Sequence, residues 1–178
     1  MPDAPALETP RLTLRGHVAA DFAESAAMWA DPVVTRHIGG RPFTSEESWA
    51  RLLRYPGLWS ILGYGYWVVR ERASGAFVGE VGFADFHRAI EPSLGAMPEG
   101  GWVLAPAAHG KGFATEALRA ALAWLEGARG PERTCCLIAP DNAASLRVAY
   151  KCGYVEAARS TYKESPAVIL YRDGARPG

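Results

Sequence analysis

One stretch constrains this chain more than any other: Gly101-Trp-Val-Leu-Ala-Pro-Ala-Ala-His-Gly-Lys-Gly-Phe-Ala-Thr-Glu116, where an apolar run, a proline, a glycine-rich turn and a helical pattern follow without a break. Trp102 to Leu104 suit a buried strand. Pro106 has no N–H for a ladder and ends the pairing, while Gly110 and Gly112 open backbone conformations closed to other residues. From Phe113 onward, Leu118, Ala121, Leu122 and Leu125 fall on one face at helical spacing, leaving Glu116, Arg119 and Glu126 to solvent. Strand, glycine turn and helix N-terminus in that order aim several unpaired backbone N–H groups and the positive end of a helix dipole at one point. That is an anion site made without a side chain, and phosphate is its obvious guest.

The remaining elements support this stretch. Arg11 to Arg15 alternates polar and apolar as a half-buried strand does, and Asp21 to Trp29 carries Phe22, Ala26 and Trp29 at helical spacing before Asp31-Pro32 closes it. Arg36 to Phe43 reads as a loop. Thr44-Ser-Glu-Glu47 is a capping box opening a second helix that Pro56-Gly57 ends. The connection from Trp59 to Tyr66 is unusually aromatic and runs into a strand at Trp67 to Arg70. Phe77 to Phe83 is the second arm of that hairpin, with Gly79 and Gly82 marking a bulge or close backbone approaches. Downstream, Arg133 to Ala139 is a continuous apolar run of the doubly buried kind, Asn142 to Cys152 a short helix closed by Gly153, and Tyr154 to Ser160 with Ala167 to Tyr171 a last hairpin. The count is about six or seven strands and about four helices. At 178 residues, 49% of them apolar, the expectation is one domain over 1–178 with residues 1–8 and 173–178 as flexible ends.

Charge and composition exclude several classes. Nineteen basic residues balance nineteen acidic ones, so no overall field draws the chain to nucleic acid or to an anionic membrane surface. No apolar run approaches spanning length and the first residues lack the pattern of a secretion signal, so the expected location is the cytoplasm. His17, His37, His87 and His109 show no ligand spacing, and no metal is expected. Cys135 and Cys136 alternate across a strand and, with Cys152, read as reduced core residues. Gly-Lys invites a P-loop reading, but Ala105 stands where the first glycine is needed and Gly112 where Ser or Thr belongs. A dinucleotide fingerprint would need glycine at Thr115.

The order of elements and two motifs resemble the GNAT superfamily of acyl-CoA-dependent N-acetyltransferases. The first motif is Gln or Arg, two residues, Gly, one residue, Gly or Ala; His109-Gly-Lys-Gly-Phe-Ala114 fills it apart from its first position. Phe113-Ala-Thr-Glu-Ala117 and Asn142-Ala-Ala-Ser145, with its closing Lys151-Cys-Gly153-Tyr, resemble the branch that includes the ribosomal-protein N-terminal acetyltransferases. The opening Leu7 to Arg15 also resembles that branch, so the likeness spans roughly residues 7–172. It implies an α/β fold with a central, mostly antiparallel sheet that splays into a V between its fourth and fifth strands.

The resemblance also implies roles. The acetyl-CoA pyrophosphate would lie on the N–H groups of the turn, with His109, Gly110, Lys111, Gly112, Phe113, Ala114 and Thr115 as the binding stretch. The pantetheine would extend along the strand before it, whose Val103 or Leu104 N–H would polarise the thioester carbonyl. Asn142 would bind the same molecule or cap its helix, and Ser145 would protonate the leaving thiolate, since Ala149 occupies the position where many members carry a tyrosine. An amine acceptor of pKa about 8–10 must lose a proton, and Glu99 is the first candidate base, ahead of Glu80, His87 and Glu91. The acceptor cleft would be walled by the Arg36–Phe43 loop and by Trp59 and Tyr64, with Glu80 facing it; core packing is the rival reading of the aromatics. Partners are then acetyl-CoA and a small-molecule amine or protein N-terminus, the protein being a monomer or homodimer. The rival function is an acyl-CoA sensor that keeps the cradle without turnover.

Overall fold

The strand and helix around the glycine turn are β5 (Glu99–Leu104) and α4 (Phe113–Arg129), joined by a short 3-10 turn at Pro106–Ala108. The computed structural model describes residues 3–174. Before β5 come β1 (Leu7–Glu8), β2 (Leu12–Arg15), α1 (Phe22–Trp29), α2 (Pro32–Thr35), α3 (Ser45–Leu62), β3 (Tyr66–Glu71) and β4 (Phe77–Ala84). After α4 come β6 (Thr134–Ile138), α5 (Ala143–Lys151), β7 (Val155–Tyr162) and β8 (Ser165–Arg172). The strands form one eight-stranded sheet in the order β1-β2-β3-β4-β5-β6-β8-β7, antiparallel throughout except where β5 meets β6. The mixed α/β architecture expected from the sequence is the one observed.

Alternation along the strands sorts side chains onto two faces. Trp67, Val69, Val81, Phe83, Leu104, Cys136 and Ile138 join Leu118, Ala121, Leu122 and Leu125 of α4 in the main core. Trp59, Trp67 and Trp124 meet there edge-to-face at 4.7–5.2 Å between ring centroids. The opposite face of β3, β4 and β5 is covered by α1 and α3: Met28 and Trp29 pack with Phe43 and Val103, and Tyr55 packs with Tyr66 and Ala84. Cys135 and Cys136 divide between the faces, both buried and free, and burial pushes the Cys135 thiol up to about 12. Cys152 is also free and buried.

The helices depart from expectation at two prolines. Asp31-Pro32 opens α2 rather than only closing α1, because Asp31 Oδ1 accepts from the Val33 N–H at 2.7 Å and proline is suited to a first helical position. Pro56-Gly57 does not end α3. The helix runs on to Leu62 and stops at Gly63, whose φ of 73° suits a left-handed cap. Leu52, Tyr55 and Trp59, all buried, lie on one face across the proline. Burying such side chains is worth about 1.5–3 kcal/mol each, which offsets the roughly 3 kcal/mol that an interior proline costs. Residues 7–8, expected to fray, pair as β1 with Leu14 and Thr13, and Trp67 Nε1 donates to the Pro5 carbonyl at 2.8 Å. Of the expected flexible ends, residues 1–2 and 175–178 lie outside the described residues.

Both strand glycines mark close approaches, as expected. Gly79 follows a register shift opposite Val69 and Arg70, and Gly82 faces the Gly65–Tyr66 backbone so closely that a Cβ would collide with the Gly65 carbonyl and the Tyr66 Cα. Gly57, inside α3, has open space around its Cβ position. Gly82→Ala should therefore lower stability by about 2–4 kcal/mol, because rigid backbone must move. Gly57→Ala should raise it by about 0.5–1 kcal/mol through helix propensity. Urea unfolding of the two variants checks the contrast.

Candidate active site

The site begins where the sheet comes apart. β5 and β6 are registered only at Glu99 and Cys135, with the Cys135 N–H donating to the Pro98 carbonyl at 3.1 Å; beyond that point the two parallel strands diverge into a V. The other edge of β5 stays paired with β4 along its whole length, from Glu99 opposite Ala84 to Leu104 opposite Gly79. Successive residues of a strand turn their N–H and C=O groups to opposite edges. Pro98 faces β6, and the Ala105 N–H donates to Val78 on the β4 side at 3.0 Å. Even-numbered residues therefore face the V, so the N–H groups available there belong to Trp102 and Leu104. Of the two donors expected from the sequence, Leu104 faces the opening and Val103 faces β4.

Both arms of the V lead into helix N-termini. After β5, Gly110 and Gly112 take φ of 75° and 78° and turn the chain into α4. The first bond of that helix runs from the Glu116 N–H to the Gly112 carbonyl at 3.1 Å, so the N–H groups of Phe113, Ala114 and Thr115 have no acceptor within the helix. Phe113 itself is buried and anchors the turn in the main core. His109 bonds through Nε2 to the Leu104 carbonyl at 2.8 Å. Its ring ties the turn to the end of β5 instead of reaching outward. After β6, Asn142 caps α5 by accepting the Ser145 N–H at 3.1 Å, which places Ser145 in the first turn. Ala149 is fully buried in the core, and Tyr150 is exposed on the outside of α5.

A carboxylate that sequence reading left to solvent braces the turn. Glu116 accepts from the Thr9 hydroxyl at 2.6 Å, the Arg11 N–H at 2.9 Å and Arg11 Nε at 2.7 Å, while Arg11 Nη1 donates to the Lys111 carbonyl at 2.9 Å. Burial alone would raise the Glu116 carboxyl; the hydroxyl and Arg11 outweigh it and hold it below the usual range. A cavity of about 680 Å³ opens beside this network, bordered by Arg11, Thr115, Arg119 and Lys151. The only signal in sequence was the Thr9-Pro-Arg11 segment, whose contact with α4 is more than a hundred residues away.

On the α1/α3 face the charged groups are locked. Glu80, opposite Val103, has no solvent exposure and accepts from Ser25 Oγ at 2.6 Å, Trp29 Nε1 at 3.0 Å and Tyr55 Oη at 2.5 Å. The His17 ring stacks on Tyr55 and lies 3.6 Å from Glu80, an ion-pair distance rather than a hydrogen bond. Burial by itself would raise the Glu80 carboxyl, but His17 and the donated hydrogen bonds hold it down. Glu99 sits at the apex of the V with both oxygens on Arg88, at 2.6 and 2.7 Å. Trp102 is about 10 Å further along the strand, three residues at about 3.3 Å each. Two residues expected to wall the acceptor cleft are core residues: Trp59 packs on Trp67 and Trp124, and Tyr64 is buried beneath Arg129, whose guanidinium lies 5.1 Å from its ring centroid. Their aromatic character fills the core, and Glu80 is part of the same interior rather than of a cleft wall. His87 is exposed in the β4–β5 connection beside Asp85, and Glu91 is exposed in the same connection.

The Arg36–Phe43 loop does border the V. Ile38 and Phe43 pack in the cluster that contains Val103, and His37 Nδ1 lies 3.3 Å from Asp141 at the end of β6, so the loop spans both arms.

With this geometry in place, residues 11–155 match the acetyltransferase (GNAT) domain family. The chain belongs to the GNAT acetyltransferase family. It is 28% identical over 155 residues to the uncharacterized N-acetyltransferase YoaA of Bacillus subtilis, covering 84% of this chain and 82% of that protein. A Bordetella pertussis protein assigned to the GnaT-family acetyltransferases superposes with a TM-score of 0.83 at 31% identity, over 94% of this chain and 99% of its own. The spermidine N-acetyltransferase of Vibrio cholerae, solved with CoA and spermine, shares the fold at a TM-score of 0.72 and 18% identity, over 93% and 97% of the two chains. The GNAT chain is thus an acyltransferase. Among the described residues no cluster of His, Cys, Asp or Glu has metal-holding geometry, and no helix is long and apolar enough to cross a membrane.

The buried Glu80 makes a stability prediction. Its folded pKa lies below the unfolded value of about 4.3, so its contribution is present above that pH and is lost as pH falls. Glu80→Gln should cost about 2–4 kcal/mol at pH 7, because a paired buried group is removed from its donors. It should also flatten the acid limb of the stability curve, leaving the part due to Asp21, whose carboxylate burial would raise but Arg15 and Arg70 hold far below the usual range. Urea titrations from pH 3 to 8 read both effects.

Proposed function

We propose that the protein transfers the acetyl group of acetyl-CoA directly to a primary amine, within the branch that resembles the ribosomal-protein N-terminal acetyltransferases. The observation that carries the proposal is the unpaired edge of β5 running into the glycine turn at α4. Three features fit acetyl-CoA. The N–H groups of Phe113 to Thr115 lack helical acceptors. The left-handed Gly110 and Gly112 keep side chains out of the turn, with no neighbour within 4 Å of a Cβ at Gly110. Trp102 Nε1, on the strand that faces the V, is buried without a hydrogen-bond partner.

Acetyl-CoA supplies an activated acetyl thioester when bound; the chain's residues position it and move protons. Gly110 to Thr115 would hold the pyrophosphate by backbone N–H groups at the helix N-terminus. His109 supports the turn through Leu104, and the cations Arg11, Arg119 and Lys151 beside the turn suit the nucleotide end. The backbone of Trp102 and Leu104 would pair with the pantetheine amides as an added strand does. The Leu104 N–H would meet the carbonyl oxygen as it gains charge. Asn142 fixes the first turn of α5, and with it Ser145.

As the amine nitrogen bonds to the acyl carbon, the carbon–sulfur bond breaks, one proton leaves the nitrogen and the sulfur takes one up. We assign the first proton to Glu99, through water because Arg88 holds both its oxygens, and the Ser145 hydroxyl as donor of the second, its own proton being replaced from solvent. The amine departs acetylated and CoA departs as the thiol, with no covalent enzyme intermediate.

Acetylated products from an amine panel, identified by mass spectrometry, test the transferase. Ser145→Ala should lower kcat by about 10–100-fold. Its acetyl-CoA Kd, read by calorimetry, should stay within about threefold because the turn is untouched. Glu99→Gln should lower kcat/KM at pH 7 by about 10²-fold and remove the acid limb of its pH profile. A drop with an unchanged profile makes Glu99 a structural partner of Arg88 alone.

A further inference from the structure

Two cations that no acidic side chain pairs lie side by side on α3, away from the glycine turn. Arg51 and Arg54, one turn apart on α3, line a cavity of about 280 Å³ with Phe43, Glu47 and Ala50. Among the described residues neither arginine has an acidic side chain within 4.0 Å, which is also true of Arg36, Arg119 and Arg147, whereas arginines 11, 15, 41, 70, 72, 88, 129, 133, 159 and 172 do have one. The acid that lines the cavity is committed elsewhere. Glu47 accepts from Arg41 at 2.5 and 2.9 Å and from the Thr44 N–H at 2.8 Å, and Arg41 holds its carboxyl down at about 2. Arg51 Nε is buried without a hydrogen-bond partner. Buried polar atoms are nearly always satisfied, so this orphan donor, on a side chain that lines the cavity, marks a missing acceptor. The Arg51 guanidinium is also fixed in place, 3.9 Å from the Trp29 ring centroid and 5.2 Å from that of Phe43.

A cluster of side chains links the cavity to β5. Trp29 and Phe43, which hold Arg51, pack in the cluster that includes Val103 of β5. Tyr66 stacks at 5.2 Å on Tyr55, the residue after Arg54, and its hydroxyl fills the space where Gly101 of β5 would carry a Cβ. Burial and the neighbouring Arg51 push the Arg54 pKa down and outweigh the opposing influence of Tyr55, Tyr66 and Glu80.

We infer that the amine acceptor carries a carboxylate and that Arg51 and Arg54 hold it, which points to free amino acids or close analogues as the substrate class. The inference rests on the transferase reading above. Guanidinium groups bind carboxylates through paired N–H donors, and such a group would supply the acceptor that Arg51 lacks. With the carboxylate in the cavity, the remainder of the molecule extends past Phe43 and Val103 toward the V. The same pair of charges repels polyamines.

The test has two readouts. A panel of N-acetyl amino acids and their C-terminal amides, titrated into the protein by calorimetry, reads the cavity without turnover. At least one acid should bind ten-fold or more tighter than its amide, and the preference should vanish in Arg51→Gln/Arg54→Gln and survive in Arg54→Lys. Arg54→Gln alone, which leaves the stacked Arg51 in place, should reduce the preference several-fold with an unchanged Tm. No difference between acids and amides overturns the inference. In turnover with acetyl-CoA, free amino acids should exceed their amides and spermidine in kcat/KM. Amides or spermidine turned over as well as the acids overturn the inference and leave the transferase standing. Acid-selective binding without acetylation of any acceptor overturns the transferase reading and leaves the carboxylate site.

Discussion

Everything in the site depends on β5 leaving β6 after a single registered pair. A parallel neighbour would otherwise cover the Trp102 and Leu104 backbone groups, and the edge would be one more ladder in the sheet's interior. An open edge inside a sheet is a liability unless something pairs with it. The fold keeps it open by geometry on both sides: α4 and α5 follow the two arms and pack against each other and the sheet, and the Arg36–Phe43 loop reaches from Val103 to Asp141 across the mouth. The glycine turn is useful because of this opening. Its N–H groups lie at the end of a strand that itself has hydrogen bonds to give.

The two faces of the same strand have different chemistry, and alternation produces the difference. Leu104 packs beneath α4 in an apolar core, whereas Gly101 and Val103 look toward α1 and α3, where Glu80, His17, Tyr55 and Tyr66 form a buried polar layer. Glu80 contributes rigidity: one carboxylate bonds to residues of both α1 and α3 and so fixes those helices over β4. A charge buried with three donors is costly to remove and hard to recruit for proton transfer, so its role is to hold the helices in place.

What could be read from the chain follows the range of the interactions. The glycine turn, α4, the capping box at Thr44 and the Asn142 cap are local, set by φ preferences and by side chains within three residues, and they stand where the sequence places them. Contacts between distant residues were not legible. Pro56 reads as a stop because the burial of Tyr55 and Trp59 against the sheet is not visible in the chain. Glu116 reads as a solvated helix residue because its partners Thr9 and Arg11 come from the other end of the sequence. Trp59 and Tyr64 look like cleft walls since an aromatic run has the same composition in a core. The V was legible only through resemblance, because nothing in Glu99 to Leu104 or Thr134 to Ile138 records that two good strands decline to pair.

The departure at His109 shows how such a motif tolerates change. A first-position side chain that reached an anionic ligand would add charge or donors to the site, and its loss would weaken binding. Here the ring instead bonds to the Leu104 carbonyl, the last V-facing acceptor of β5. That bond satisfies a carbonyl that has no β6 partner, and it fixes the spacing between the strand edge and the glycine turn. The Leu104 N–H is left as the free group of that residue, so the end of the edge presents a donor and no acceptor. A carbonyl oxygen gaining negative charge is favoured there. The side chains of Val103 and Ala105, which flank that N–H, pack in the Trp29–Phe43 cluster. In the proposed transfer, an amine approaching a carbonyl held at Leu104 would come from the α1/α3 face, across Val103, the side on which Arg51 and Arg54 lie.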